Sequence, residues 1–152
     1  MHVKDQDLVA TLSQQTEGAP LTAAVYARFE TAMSPAHWLG PLGNYLVARP
    51  AARAAAHRAE ARTDMPLDAA VVLGITTGQL HVWAADPMLS HVNDHLGSVP
   101  LERIADIRAE TAKSWWPLTI TLTDDESLEL QARGDVRGFV TAFEQHRDSA
   151  AS

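Results

Sequence analysis

The sequence predicts an α+β chain in which an antiparallel sheet, closed by a C-terminal helix, follows an N-terminal helical extension. Three observations predict it. The apolar period changes from near 3.6 to 2 after residue 68, turn formers punctuate the stretch that follows, and Val136, Phe139, Val140 and Phe143 recur at i, i+3, i+4 and i+7 near the end. With 152 residues, 46% of them hydrophobic, the chain suits a single domain with a real core.

Residues 1–20 are polar, end in "TEGAP" and offer only Leu8, Val9 and Leu12 as an apolar cluster, so they read as a mobile arm that docks weakly if at all. Residues 21–66 read as the helical extension. Leu21, Val25, Phe29, Ala32 and Met33 fall at helical spacing, and Ser34-Pro35 supplies a stop. Gly40, Pro41 and Gly43 interrupt. A run from Ala51 then has high helix propensity but an apolar face made only of alanine, with Pro50 at a tolerated starting position.

The sheet begins after "TDMPLD". Ala69 to Ile75 is an apolar run, Thr76 to Gly78 a tight turn, and "QLHVWAA" a second strand in which Leu80, Val82 and Ala84 alternate with Gln79, His81 and Trp83. "DPMLSHVNDHLGS" reads as a long loop with room for a short edge strand. The next stretch, "VPLERIADIRAE", has helix-favouring residues but lies between two hairpins and is expected to pair with both. Ile107 and Ala109 point inward on a strand from about Ala105, while Ile104 has the wrong parity; a turn or bulge after Pro100 resolves the conflict. In "WPLTITLT" and "SLELQAR", Leu118, Ile120, Leu122, Leu128, Leu130 and Ala132 line one face, with a turn at Asp124 to Glu126. Asp135 is placed to cap the final helix.

The order of "ITTGQLHVW", "VPLERIADI", "LTITLTDDESLEL" and "GDVRGFVTAFEQH" resembles the bacterial pleckstrin-homology-like (GRAM-like) domain family over about residues 68 to 147. In that family a "T-x-x-R-L" hairpin, an "I-P-L-x-x-I" turn, a strand near a short acidic turn and a capping helix follow one another; Gln79 stands where the family often has Arg. The resemblance implies a PH-like domain over 67–148: an antiparallel β-sandwich or partly open barrel of two roughly orthogonal sheets, with the last helix plugging one corner. It also implies a non-catalytic module that docks proteins or lipids.

A formal net charge of -7 disfavours nucleic acid and anionic membrane surfaces as partners. The absence of cysteine excludes disulfides and thiolate zinc sites. No signal peptide or apolar span of membrane length is visible, which makes the cytoplasm the expected compartment. The preference for Arg over Lys and the abundance of Ala are associated with GC-rich bacteria. "GITTG" lacks the ending of a phosphate loop, no G-x-S-x-G elbow exists, and no cofactor is expected.

Three features compete as sites. In "KSWWPL", the alternation puts Trp116 inward and Trp115 outward beside Pro117, so Trp115, Lys113 and Pro117 form a candidate partner-binding or self-association surface; the competing reading has Trp115 covering the N-terminal helices. His81, His91 and His95 offer an alternative, a small metal-dependent hydrolase, although solvated loop histidines are the simpler reading and no metal is expected. A third class is lipid docking through Trp115 and Lys113. Relatives that bind phosphoinositides use basic residues in the loop after the first strand. Here that loop is read as "TTG", and Arg49, Arg53, Arg58 and Arg62 as a solvated helix face. The acidic turn Asp124, Asp125, Glu126 reads as a solvated hairpin tip rather than a calcium loop.

Overall fold

The computed structural model describes residue 12 and residues 21–29, 54–85 and 92–151. Seven strands, β1 (Ala23–Arg28), β2 (Ala70–Ile75), β3 (Gln79–Ala85), β4 (Val92–Pro100), β5 (Ile104–Ala109), β6 (Trp116–Leu122) and β7 (Ser127–Arg133), form one antiparallel sheet in the order β4-β3-β2-β1-β7-β6-β5. Helix α1 covers 54–63, a 3-10 turn Leu101–Arg103, and helix α2 Val136–Ala151.

The expected helix from Leu21 is overturned over Ala23–Arg28. These residues form β1, paired with β2 from Ala23↔Ile75 to Arg28↔Ala70 and with β7 at Tyr26↔Arg133 and Arg28↔Gln131. Val25 and Ala27 face the main core, whereas Ala24 and Tyr26 face a second apolar cluster on the other side of the sheet. A strand buried on both faces shows no polar alternation, and its alanines simulate helix propensity. These residues of the expected extension thus lie at the centre of the sheet. The segment that is helical among the described residues is α1, which sets Ala56 and Ala59 into the core.

β4 and β5 lie at opposite ends of the strand order, yet only Leu101–Arg103 separate them. In a flat sheet six spacings of about 4.8 Å would hold them roughly 29 Å apart. Four residue steps reach at most about 14 Å. The sheet therefore curls back on itself at this corner without a ladder closing it. Hydrogen bonds fix the corner: Leu101 N–H donates to Gly78 O (3.1 Å) and Thr123 N–H to Arg103 O (3.0 Å), while the Arg103 guanidinium donates to Thr63 O (3.1 Å) at the end of α1.

The parity conflict at Ile104 is settled by a register shift between Ile104 and Asp106, which leaves exposed Ala105 as the extra residue and buries both Ile104 and Ile107. The stretch from Val99 to Glu110 does pair with both hairpins, but through different residues: Val99 and Pro100, at the end of β4, lie opposite Leu80 and Gln79, while β5 pairs with β6.

α2 packs across β1, β2, β5 and the 3-10 turn, burying Val136, Phe139, Ala142 and Phe143. Its N-terminus is capped as expected, Asp135 Oδ1 accepting from Gly138 N–H at 3.0 Å. Farther along, Arg147 donates to Ala105 O (2.7 Å), and His146 Nε2 lies 2.8 Å from Thr22 Oγ1, which ties the helix to the segment entering β1.

The second cluster contains Leu12, Leu21, Ala24, Tyr26, Ala70, Val72, Trp83 and Ala85. Leu12, expected in a mobile arm, is helical and only 1% exposed. Trp83 is completely buried there, its indole and the Leu21 side chain lying where a Cβ on Gly74 would project.

Candidate functional site

One rim of the sheet gathers cations around two tryptophans. β1 ends at Arg28 and β7 at Arg133, β6 begins at Trp116, and Arg137 lies in the first turn of α2. The registers Arg28↔Gln131 and Pro117↔Gln131 set these strand ends side by side. Trp115, just before β6, is half-buried, with the Arg28 guanidinium 3.9 Å above its ring centroid and that of Arg133 at 5.9 Å. Arg28 Nε and Nη2 each donate to Gln131 Oε1 at 3.3 Å, which orients the guanidinium plane. Arg137 stands 5.5 Å from the Trp116 ring, and Trp116 packs on the main core.

Arg28, Arg133, Arg137, Lys113 and Pro117 are exposed. The rim thus concentrates three of the chain's 12 basic side chains, Arg28, Arg133 and Arg137, on a molecule of net charge -7. A guanidinium stacked on an aromatic face loses little further freedom when it binds, and its planar fork matches a carboxylate or a phosphate. Of the acidic residues flanking these segments, Asp135 is engaged in capping α2, and Glu110 precedes the loop that carries Lys113. Pro117 also borders an open groove of about 830 Å³ on the outer face of β5, β6 and β7, where Asp106, Arg108, Thr119, Thr121 and Glu129 line the wall and Arg108 Nε bonds Asp106 Oδ2 at 2.6 Å.

Sequence patterning singles out Trp115, Lys113 and Pro117; of these, Trp115 carries the arginine contacts, and Lys113 and Pro117, two residues to either side of it, are exposed. It missed Arg28, Gln131, Arg133 and Arg137. Arg28 was hidden by the helix reading of β1, and only the spacing of Arg133 and Arg137 about the "GD" turn hinted at the others. Trp115 lies under a residue of the expected extension, but that residue belongs to a strand.

Of the three histidines, His81 on β3 and His95 on β4 meet, with Nδ1 and Nε2 3.0 Å apart; His91 lies outside the described residues. His95 occupies a strand rather than the expected loop. Among the described residues no three His, Cys, Asp or Glu side chains converge as metal ligands.

Two further expectations change. Thr76–Gly78 joins the second and third strands; the connection after the first strand is residues 29–69, which contains the arginine-rich run. Arg62 is not simply solvated: it pairs with Glu126 (3.2 Å) and donates to Ser127 O (2.7 Å), tying α1 to the acidic turn. Arg58 is exposed, and Arg49 and Arg53 lie outside the described residues.

Comparison with protein-family models finds no match for the chain, and comparison with curated proteins finds none either. Among the described residues, no helix is long and apolar enough to cross a membrane.

Proposed function

We propose that the chain is a non-catalytic docking module of PH-like design, acting in the bacterial cytoplasm, that binds an acidic segment of a protein partner through the Trp115 rim. One observation carries the reading: on an acidic molecule, the Arg28 guanidinium lies 3.9 Å over Trp115 while Arg133 and Arg137 approach the same two indoles. Carboxylates are the complementary chemistry. The partner's apolar atoms would cover the half-exposed indole, and the arginine forks would take its carboxylates. The strand order, with two meanders joined through β1 and β7 and a terminal helix over the curl, supports the PH-like part of the reading.

The test is fluorescence anisotropy with a labelled oligoglutamate peptide. The expected result is salt-sensitive binding that Trp115→Ala and the pair Arg133→Glu, Arg137→Glu abolish in folded protein. Retention on phosphatidylglycerol vesicles without peptide binding would replace this reading by lipid docking. Concentration-dependent dimerisation lost in the same variants would replace it by self-association.

A further inference from the structure

The His81–His95 contact arises from an irregular ladder. Strand periodicity places residues 95 and 98 on opposite faces, and Ser98 is the partner of His81. Between Val82↔Gly97 and Trp83↔His95 the register shifts, leaving Leu96 as the extra residue, 37% exposed. The bulge turns His95 onto the face shared by His81 and Trp83. There the His81 ring stacks on Trp83 with centroids 5.6 Å apart, and the His95 ring meets the same indole edge-on at 5.2 Å. His81 is buried and His95 exposed, so one imidazole is held by its surroundings and the other can turn.

From this geometry we infer that His81 Nδ1 and His95 Nε2 form a two-imidazole site for a tetragonal divalent transition-metal ion, with Cu²⁺ preferred, apart from the docking rim. The nitrogen separation brings both imidazoles within reach of one ion. Two bonds of about 2.0 to 2.1 Å to a common ion span nitrogens 3.0 Å apart at an angle of roughly 94°. That is the angle between neighbouring positions in a square-planar or tetragonal complex, as Cu²⁺ and Ni²⁺ prefer. A small turn of the exposed His95 ring would also reach the roughly 3.3 Å of a tetrahedral site, so the preference for Cu²⁺ over Zn²⁺ rests on the affinity order of nitrogen ligands for divalent ions. Both nitrogens must present lone pairs, so the hydrogen shared between the two neutral rings moves to the remote nitrogen of the ring that carried it. No proton is lost overall and nothing is oxidised. Water fills the remaining positions on the exposed side of His95.

Trp83 is the built-in reporter, because its indole touches both rings whereas Trp115 and Trp116 belong to the docking rim. In the full chain, the Trp83 indole N–H resonance is followed as Cu²⁺ is added, with His2→Ala as a control for the imidazole of the amino-terminal segment. One equivalent is expected to broaden Trp83 selectively in wild type and in His2→Ala. His95→Ala and His95→Asn, both on the exposed strand, should raise the Cu²⁺ needed on the order of tenfold or more. An equimolar amount of Zn²⁺ should leave the broadening in place. Broadening that persists in the folded His95 variants, that spreads equally to Trp115 and Trp116, or that Zn²⁺ abolishes overturns the assignment.

Discussion

The Arg28 guanidinium carbon lies over the Trp115 ring, 3.9 Å from its centroid, although one residue ends the first strand and the other precedes the sixth. A contact of this kind at a partly exposed site contributes about 0.5 to 1 kcal/mol. The half-buried indole adds some apolar area. Trp115→Ala is therefore expected to cost about 1 to 2 kcal/mol in urea denaturation and to leave the fold intact. Phe139→Ala, which empties a site wholly inside the core, should cost about 3 to 5 kcal/mol. A Trp115 variant that unfolds as readily as the Phe139 variant would make the indole a core residue rather than a contact surface.

Gly74→Ala should destabilise the protein by about 1 to 3 kcal/mol despite replacing a strand glycine, a change that ordinarily helps. A Cβ there would lie 2.9 Å from Trp83 Cζ3 and 2.7 Å from Leu21 Cδ1. The leucine end can yield; the rigid, fully buried indole cannot. A higher urea midpoint for Gly74→Ala would contradict this packing.

Leu12→Ala tests the second apolar layer. A side chain 1% exposed against the outer face of β1–β3 should be worth about 2 to 5 kcal/mol, and its loss should shift indole emission to the red as Trp83 meets water. An unchanged midpoint and spectrum would return this residue to the mobile arm that composition alone suggests.

At the start of α2, Asp135→Ala should cost about 1 kcal/mol through loss of the cap on Gly138 N–H. Gly138→Ala would ordinarily gain about 1 kcal/mol in a helix. Here a Cβ on Gly138 collides with the Asp135 carboxylate, so the single substitution should bring no gain. Made together with Asp135→Ala, it should stabilise, and the double-mutant cycle should show coupling between the two positions.

The legible parts of this fold were the half-solvated strands. β6 and β7 keep Leu118, Ile120, Leu122, Leu128, Leu130 and Ala132 inside with Thr and Glu outside, and α2 keeps one apolar stripe, so periodicity located all three. β1 was illegible because an outer layer covers its second face. β3 falls in its expected place, with His81 and Trp83 on the face opposite Leu80 and Val82; alternation alone does not reveal that this face is buried too, in that outer layer. The turn before β5 was anticipated because burying both Ile104 and Ile107 demands an extra residue between them. At the rim, tryptophan and proline announced themselves by type, while the arginines became neighbours only through strand pairing far along the chain.

The position of β1 governs how the molecule comes into being. It is made first yet fills the slot between β2 and β7, and Tyr26 waits for Arg133 before its second edge is satisfied. During synthesis β1 cannot join the two ribbons of the sheet until β7 has emerged, and this pairing closes a long loop, which slows assembly. A shortened chain starting at residue 67 would leave β2 and β7 each with an unzipped edge, and such edges invite aggregation.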